Sequence, residues 1–188
     1  MLIRYLTLRY SLWNFWMLRK ASKGSSLKIR GPLWVSQKGE FAIGSNVTIN
    51  SDHRANPVGE AGKTQLIIKA GARLQLGNNV GISNSSLFCA QAITIEDHVL
   101  IGNGCMIWDT DFHPIHHRER MAHPNSGYTS KPIIIRQGAF IGGSTIILKG
   151  IEIGERAVVG AGSVVTRSIG PDELWAGNPA VFIRKINE

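Results

Sequence analysis

The chain is poor in cysteine. Its 188 residues hold only Cys89 and Cys105. That excludes a disulfide framework, and no cysteine pair has zinc-site spacing. Long apolar runs are also missing. The stretch Met1 to Lys20 is broken by Arg4 and Arg9, short of the roughly 20 apolar residues a spanning helix needs. It lacks the small-residue cleavage pattern of a secretory signal. Acidic residues are absent until Glu40, while Arg4, Arg9, Arg19, Lys20, Lys23, Lys28 and Arg30 all precede it. The net charge of +8 therefore sits on an N-terminal arm, and the remainder is nearly neutral. With no nucleic-acid-binding motif present, DNA or RNA is not an expected partner.

The spacing that is present has period six. Ile135, Ile141, Ile147, Ile153, Val159 and Val165 recur without a slip. Four places after each stands Ala139, Thr145, Ile151, Ala157, Ser163 or Ile169, mostly small, and glycine follows three of the aliphatics at Gly142, Gly154 and Gly160. A helix keeps a period of 3.6 and a strand a period of two, so neither accounts for this. A short strand and a turn, repeated, does. Each hexad then forms one flat side of a parallel β-coil, with the aliphatic inward and glycine easing the bend. Cys105 falls at an inward small-residue place, so a buried reduced thiol and a cytoplasmic protein are expected.

Read in order, Met1 to Lys20 puts Leu2, Leu6, Tyr10, Trp13 and Met17 on one helical face, while Leu8, Phe15 and Leu18 fall opposite. Two readings stay open: an interfacial helix giving residues 1–20 a peripheral membrane contact, or a helix packed on the rest of the protein. Residues 1–30 are taken as this basic aromatic arm, expected to be helical, and 31–188 as the repeat domain. Hexads begin around Phe41, and Ser51 to Thr64 reads as a loop leaving them. They resume at Leu66 and run to Ile107 with one slip after Phe88. They stop for Trp108 to Ile134, which holds His113, His116, His117 and His123, four of the six histidines. An interruption of that length inside a regular coil is the place to look for chemistry. The stretch 170–188 is expected to cover the last coil, because an open edge invites aggregation.

The hexads, followed by Ala176-Gly177-Asn178-Pro179-Ala180, resemble the hexapeptide-repeat acyltransferases, and in particular the branch that O-acetylates sugars, near the galactoside and maltose acetyltransferases. The resemblance covers roughly Phe41 to Ile186. It implies a mainly β fold, a left-handed parallel β-helix of triangular section, with a short N-terminal helix and a protruding loop. It also implies a homotrimer with sites between subunits, acetyl-CoA as co-substrate, a saccharide acceptor and no metal.

The chemistry asks for little machinery. A sugar hydroxyl needs a base as it attacks a thioester, and histidine titrates near the working pH. The family's base is the histidine of a His-Pro step, here His113 before Pro114. Asp111 falls at an inward hexad place and is expected to orient that ring, leaving Asp109, Asn84 and His116 to line the sugar site. Gly143 is expected to offer its N–H to the oxyanion. Ala161 and Thr166 would line the pantetheine arm, and Arg167 and Arg184 would meet the phosphates or adenine. His53, His98 and His123 read as ordinary turn or loop residues.

Three departures stand out: Phe140 where tryptophan is usual, Lys149 where proline is frequent, and the basic arm in place of the helical module of maltose acetyltransferases. The arm favours a polysaccharide precursor or lipid-linked saccharide as acceptor over free sugars. Two alternatives are an N-acetyltransferase of an amino sugar and a zinc enzyme like the γ-type carbonic anhydrases, built on His113, His116 and His117.

Overall fold

The computed structural model describes residues 8–58 and 62–186. Leu2, Arg4 and Leu6, assigned above to the arm, lie outside them. Helix α1 (Ser11–Met17) precedes six coils of three strands each. The first coil is β1 (Ser22–Lys23), β2 (Lys28–Arg30) and β3 (Trp34–Gln37), and the second β4 (Glu40–Ile43), β5 (Thr48–Asn50) and β6 (Gln65–Ile68). The third is β7 (Arg73–Leu76), β8 (Gly81–Ser83) and β9 (Ser86–Cys89), and the fourth β10 (Ala92–Ile95), β11 (Leu100–Ile101) and β12 (Met106–Trp108). Helix α2 (His117–Ala122) lies in the loop that follows. The fifth coil is β13 (Ile133–Ile135), β14 (Phe140–Ile141) and β15 (Ile146–Ile147), and the sixth β16 (Glu152–Ile153), β17 (Val158–Val159) and β18 (Val164–Val165).

First strands of all coils stack into sheet A, second strands into sheet B and third strands into sheet C, every pair parallel. The result is the left-handed β-helix. Ile135 pairs with Ile153, Ile141 with Val159 and Ile147 with Val165, three hexads apart. All six of those aliphatics are completely buried, and so are Ala139, Thr145, Ala157 and Ser163 from the small places. In the earlier coils Leu74 pairs with Ile93 and Ile82 with Ile101, one residue beyond three hexads. That extra residue is the slip seen in the sequence. Each fully buried Leu or Ile adds roughly 1.5–3 kcal/mol by leaving water, so the axial column of aliphatics dominates stability.

The A–B corner explains the asparagines. Asn46, Asn79 and His98 sit there with φ near +60°, and Ser26, Gly138 and Arg156 hold the same place in other coils. Asparagine tolerates this left-handed conformation better than most residues. His98 is thus a turn residue, as its position predicts.

The repeat starts earlier than its spacing suggests, since Ser22–Lys23 and Lys28–Arg30, placed above in the arm, are strands of the first coil. At the other end, β19 (Glu173–Ala176) continues sheet B on β17 and β20 (Val181–Lys185) turns back antiparallel to it. Gly177 to Ala180 close the end of sheet C, where Val164 N–H donates to Gly177 O and Ala180 N–H to Val164 O. The final strand lengthens sheet B instead of covering the coil, and Val181, Phe182 and Ile183 stay about half exposed.

Gly142 does more than ease a bend. A Cβ there would lie 2.5 Å from Ala161 N and 2.7 Å from Val159 O, both rigid backbone of the next coil. The substitution Gly142→Ala must therefore push two coils apart, at a cost of about 2–3 kcal/mol. Urea unfolding measures this, and an unmoved midpoint would remove the close-approach argument.

Candidate functional site

The interruption of the repeat leaves and re-enters the prism at one corner, between sheets C and A. Its stem is a short antiparallel ladder. Lys131 N–H donates to Asp109 O, Asp111 N–H to Thr129 O, and Ser130 Oγ to Thr110 Oγ1. Asp109 fixes this stem to the preceding coil. Its carboxylate accepts from the amides of Ala90, Gln91 and Ala92 at 2.7, 2.7 and 2.8 Å, and the residue is completely buried. Burial pushes its carboxyl above the ordinary value against the pull of those three donors. With both oxygens engaged and no exposed surface, Asp109 is unable to meet a sugar as expected. It is an anchor.

Phe112 then turns the chain sharply. Its φ is +65° and His113 N–H bonds back to Asp111 O at 2.8 Å, a γ-turn centred on a bulky residue. This strained conformation is held by packing, with the Phe112 ring edge-on to Phe88 at 4.7 Å and to Trp108 at 5.6 Å. The turn delivers His113 to a cleft lined also by Lys69, Phe88, Thr110, Asn125 and Tyr128. The imidazole Nδ1 lies 2.6 Å from Pro124 O. A carbonyl only accepts, so Nδ1 carries the proton and Nε2 keeps its lone pair. His113 is exposed.

Asp111 is not the partner that holds this ring. It pairs with Lys149 Nζ at 2.7 Å, while the Pro124 carbonyl takes the orienting role. Lys149, which departs from the family's frequent proline, thus ties the loop to the fifth coil. His116 is the residue before α2 and His117 its first, and both are exposed. Among the described residues no three His, Cys, Asp or Glu side chains come together as a metal site.

The opposite edge of sheet C, the B–C corner, gathers a second group. Asn84 adopts φ +41° and is 7% exposed; its Nδ2 donates to Asn103 Oδ1 at 2.7 Å, and its own Oδ1 is buried with no partner among the described residues. A buried acceptor without a partner is costly, so it is poised to take a donor from a ligand or water. One coil on, Gly143 lies over Asn103 O, with room of only 3.1 Å for a Cβ, and its N–H has no acceptor among the described residues. Ala161 stacks next in the same column. The loop after β5 reaches this corner, where Asn56 Nδ2 donates to Ser83 Oγ, and Arg54 holds the neighbouring Asp52 carboxyl down at about 2.

Asn84, Gly143 and Ala161 are therefore together on one corner, while His113, Asp111, His116, Thr166 and Arg167 stand on the other. Arg184 stands apart on β20, exposed. The six residue steps from Gly143 to Lys149 cross sheet C between the corners, on the order of 20 Å at strand spacing. Sequence reasoning missed Pro124, because a backbone carbonyl has no side-chain signature.

Residues 132–167 match the hexapeptide repeat of succinyl-transferase. The chain is 36% identical over 119 residues to the galactoside O-acetyltransferase of Escherichia coli K12, which covers 63% of this chain and 57% of that protein. It spans about half the length of the curated relatives it matches. Among solved structures, a hexapeptide-repeat acetyltransferase from Vibrio cholerae complexed with acetyl coenzyme A superposes with a TM-score of 0.63 at 25% identity, over 96% of this chain and 78% of that one. A galactoside acetyltransferase in complex with coenzyme A gives 0.63 at 26%, over 98% and 82%.

Proposed function

We propose that this chain, a hexapeptide-repeat protein related to the acetyltransferases, transfers an acetyl group from acetyl-CoA to a hydroxyl of a saccharide. The observation that carries the reading is the placement of His113, which lines a cleft and has its Nδ1 2.6 Å from Pro124 O, leaving Nε2 for the acceptor. In the reaction the acceptor oxygen attacks the thioester carbonyl carbon as Nε2 takes its proton. The tetrahedral oxyanion is met by Gly143 N–H. Collapse breaks the carbon–sulfur bond, and the imidazolium returns the proton to the departing thiolate. No serine or cysteine is needed as a covalent carrier. Both cysteines are buried, which pushes the Cys89 thiol up to about 12 and raises that of Cys105.

Base and oxyanion donor stand on different corners of one prism, which supports a site built between copies. If the loop corner of one copy meets the B–C corner of the next, the contact is head-to-tail, and three such contacts close a ring. The outward side chains fit this arrangement. Sheet C presents Met106, Ile146 and Val164, whereas sheet A carries the ion pairs Glu40–Arg73 and Glu96–Arg136–Glu152. Thr166, Arg167 and Arg184 remain candidates for the coenzyme's arm and phosphates.

Thiol release from acetyl-CoA, followed across free sugars, amino sugars and lipid-linked saccharides, tests the reading. Because both cysteines are buried, a thiol reagent reports the coenzyme rather than the protein. Saccharide-dependent release is expected, largest with a hydroxyl acceptor. Preference for an amino sugar moves the reaction to N-acetylation, and failure to bind acetyl-CoA removes it altogether.

A further inference from the structure

Helix α1 is apolar on two opposite sides, and the prism uses one. On that side Asn14 Nδ2 donates to Gly31 O and its Oδ1 accepts from Leu33 N–H, Trp13 Nε1 donates to Leu33 O, and Met17 and Leu18 are buried. On the other side Leu8, Leu12, Phe15 and Trp16 follow the spacing of one helical stripe and are 65, 84, 72 and 53% exposed. Basic residues frame the stripe. Arg19 lies over the Trp16 ring at 4.2 Å, Arg9 over Tyr10 at 5.5 Å, and Lys20 is exposed beside them. No carboxylate occurs in the chain before Glu40.

We propose that this outward face of α1 docks on an anionic lipid bilayer, with Leu12, Phe15 and Trp16 entering the boundary between headgroups and acyl chains and the basic residues meeting lipid phosphates. Aromatic and aliphatic side chains framed by arginine and lysine are what such a boundary selects, and each basic group near an anionic surface adds to binding. A second copy suits the face less well. Pairing two arms would bring like charges together with no acid in either to relieve them. The helix is already seated by its hydrogen bonds to Gly31 and Leu33, so docking requires no folding. Several copies in one assembly would present several such faces to the same membrane and strengthen the attachment.

The seat also fixes an orientation. Because α1 rests on the first coil beside Gly31, the lipid lies at that end of the prism, and the B–C corner runs away from it. Gly143 is four strand spacings along, on the order of 20 Å. Resting on the acyl-transfer reading, this places the acetyl donor several sugar units from the bilayer, where the outer part of a lipid-linked saccharide would offer its hydroxyl.

The test is co-sedimentation of the full chain with vesicles of phosphatidylcholine alone or mixed with phosphatidylglycerol. Pelleting with the mixed vesicles is expected, weakened more than tenfold in Leu12→Glu/Phe15→Glu and in Arg19→Glu/Lys20→Glu, with light-scattering mass and thiol release on a soluble acceptor unchanged. Absence of pelleting by the wild type overturns the proposal, as does full pelleting of the Leu12→Glu/Phe15→Glu variant. A change of mass in that variant also overturns it, since the face would then join copies. Loss of thiol release with vesicle binding intact would instead strike only the acyl-transfer reading.

Discussion

His113→Ala is expected to lower turnover by about 10²–10⁴-fold while acetyl-CoA binding, copy number and folding stay as they are. The side chain is exposed, and its one hydrogen bond runs to a loop carbonyl, so little structure depends on it. The loop is held elsewhere, by Asp109 on the fourth coil, the Lys149–Asp111 pair and the Phe112 ring between Phe88 and Trp108. A fall in turnover with an unchanged dissociation constant for acetyl-CoA would mark a group that acts on the acceptor. Turnover within a factor of two or three of wild type would remove His113 as the base. A matching fall in thermal stability would mark it as structural.

The second large effect belongs to Asp109→Asn, a change of one atom. Both carboxylate oxygens accept backbone amides, one from Ala90 and two from Gln91 and Ala92. Asparagine supplies a single oxygen and sets its NH₂ against amides that can only donate. Lost hydrogen bonds to a charged group contribute about 1.5–3 kcal/mol each, so a loss of roughly 3 kcal/mol or more is expected. The midpoint of denaturant unfolding should drop accordingly, and amides of Ala90 to Ala92 should exchange faster. A variant as stable as wild type would show that water takes over these contacts. The comparison separates two acidic residues two positions apart in sequence, since Asp111→Asn leaves only one partly exposed ion pair with Lys149 to lose and is expected to cost less.

That contrast also marks where the sequence was legible. From Ile135 to Val165 each hexad places one side chain on the axis, so burial follows from counting. Counting fails where the chain leaves the coil. The place four residues after Ile107 is inward only if the coil continues, and it ends at Trp108, so Asp111 swings outward and Asp109 becomes the buried carboxylate. The first coil was hidden for a different reason. Both residues of Ser22–Lys23 are polar and exposed, so the inward aliphatic that marks each later hexad is missing there and no period emerges. The helix was half legible: Met17 and Trp13 do face the prism, but that Asn14 would be a buried clasp between Gly31 and Leu33 is a tertiary fact with no local signature.

The way the loop is tied at its base has a further consequence. Its two ends meet at Asp109 and Lys131 and are closed by their own ladder before any functional residue begins. The excursion behaves as a cassette plugged into a fixed socket. Its length and composition are free to drift, or to be exchanged for those of another prism, without asking the axial column to change. On the acyl-transfer reading, acceptor preference and foldability are therefore separable traits in this architecture, open to independent selection in nature and independent redesign at the bench.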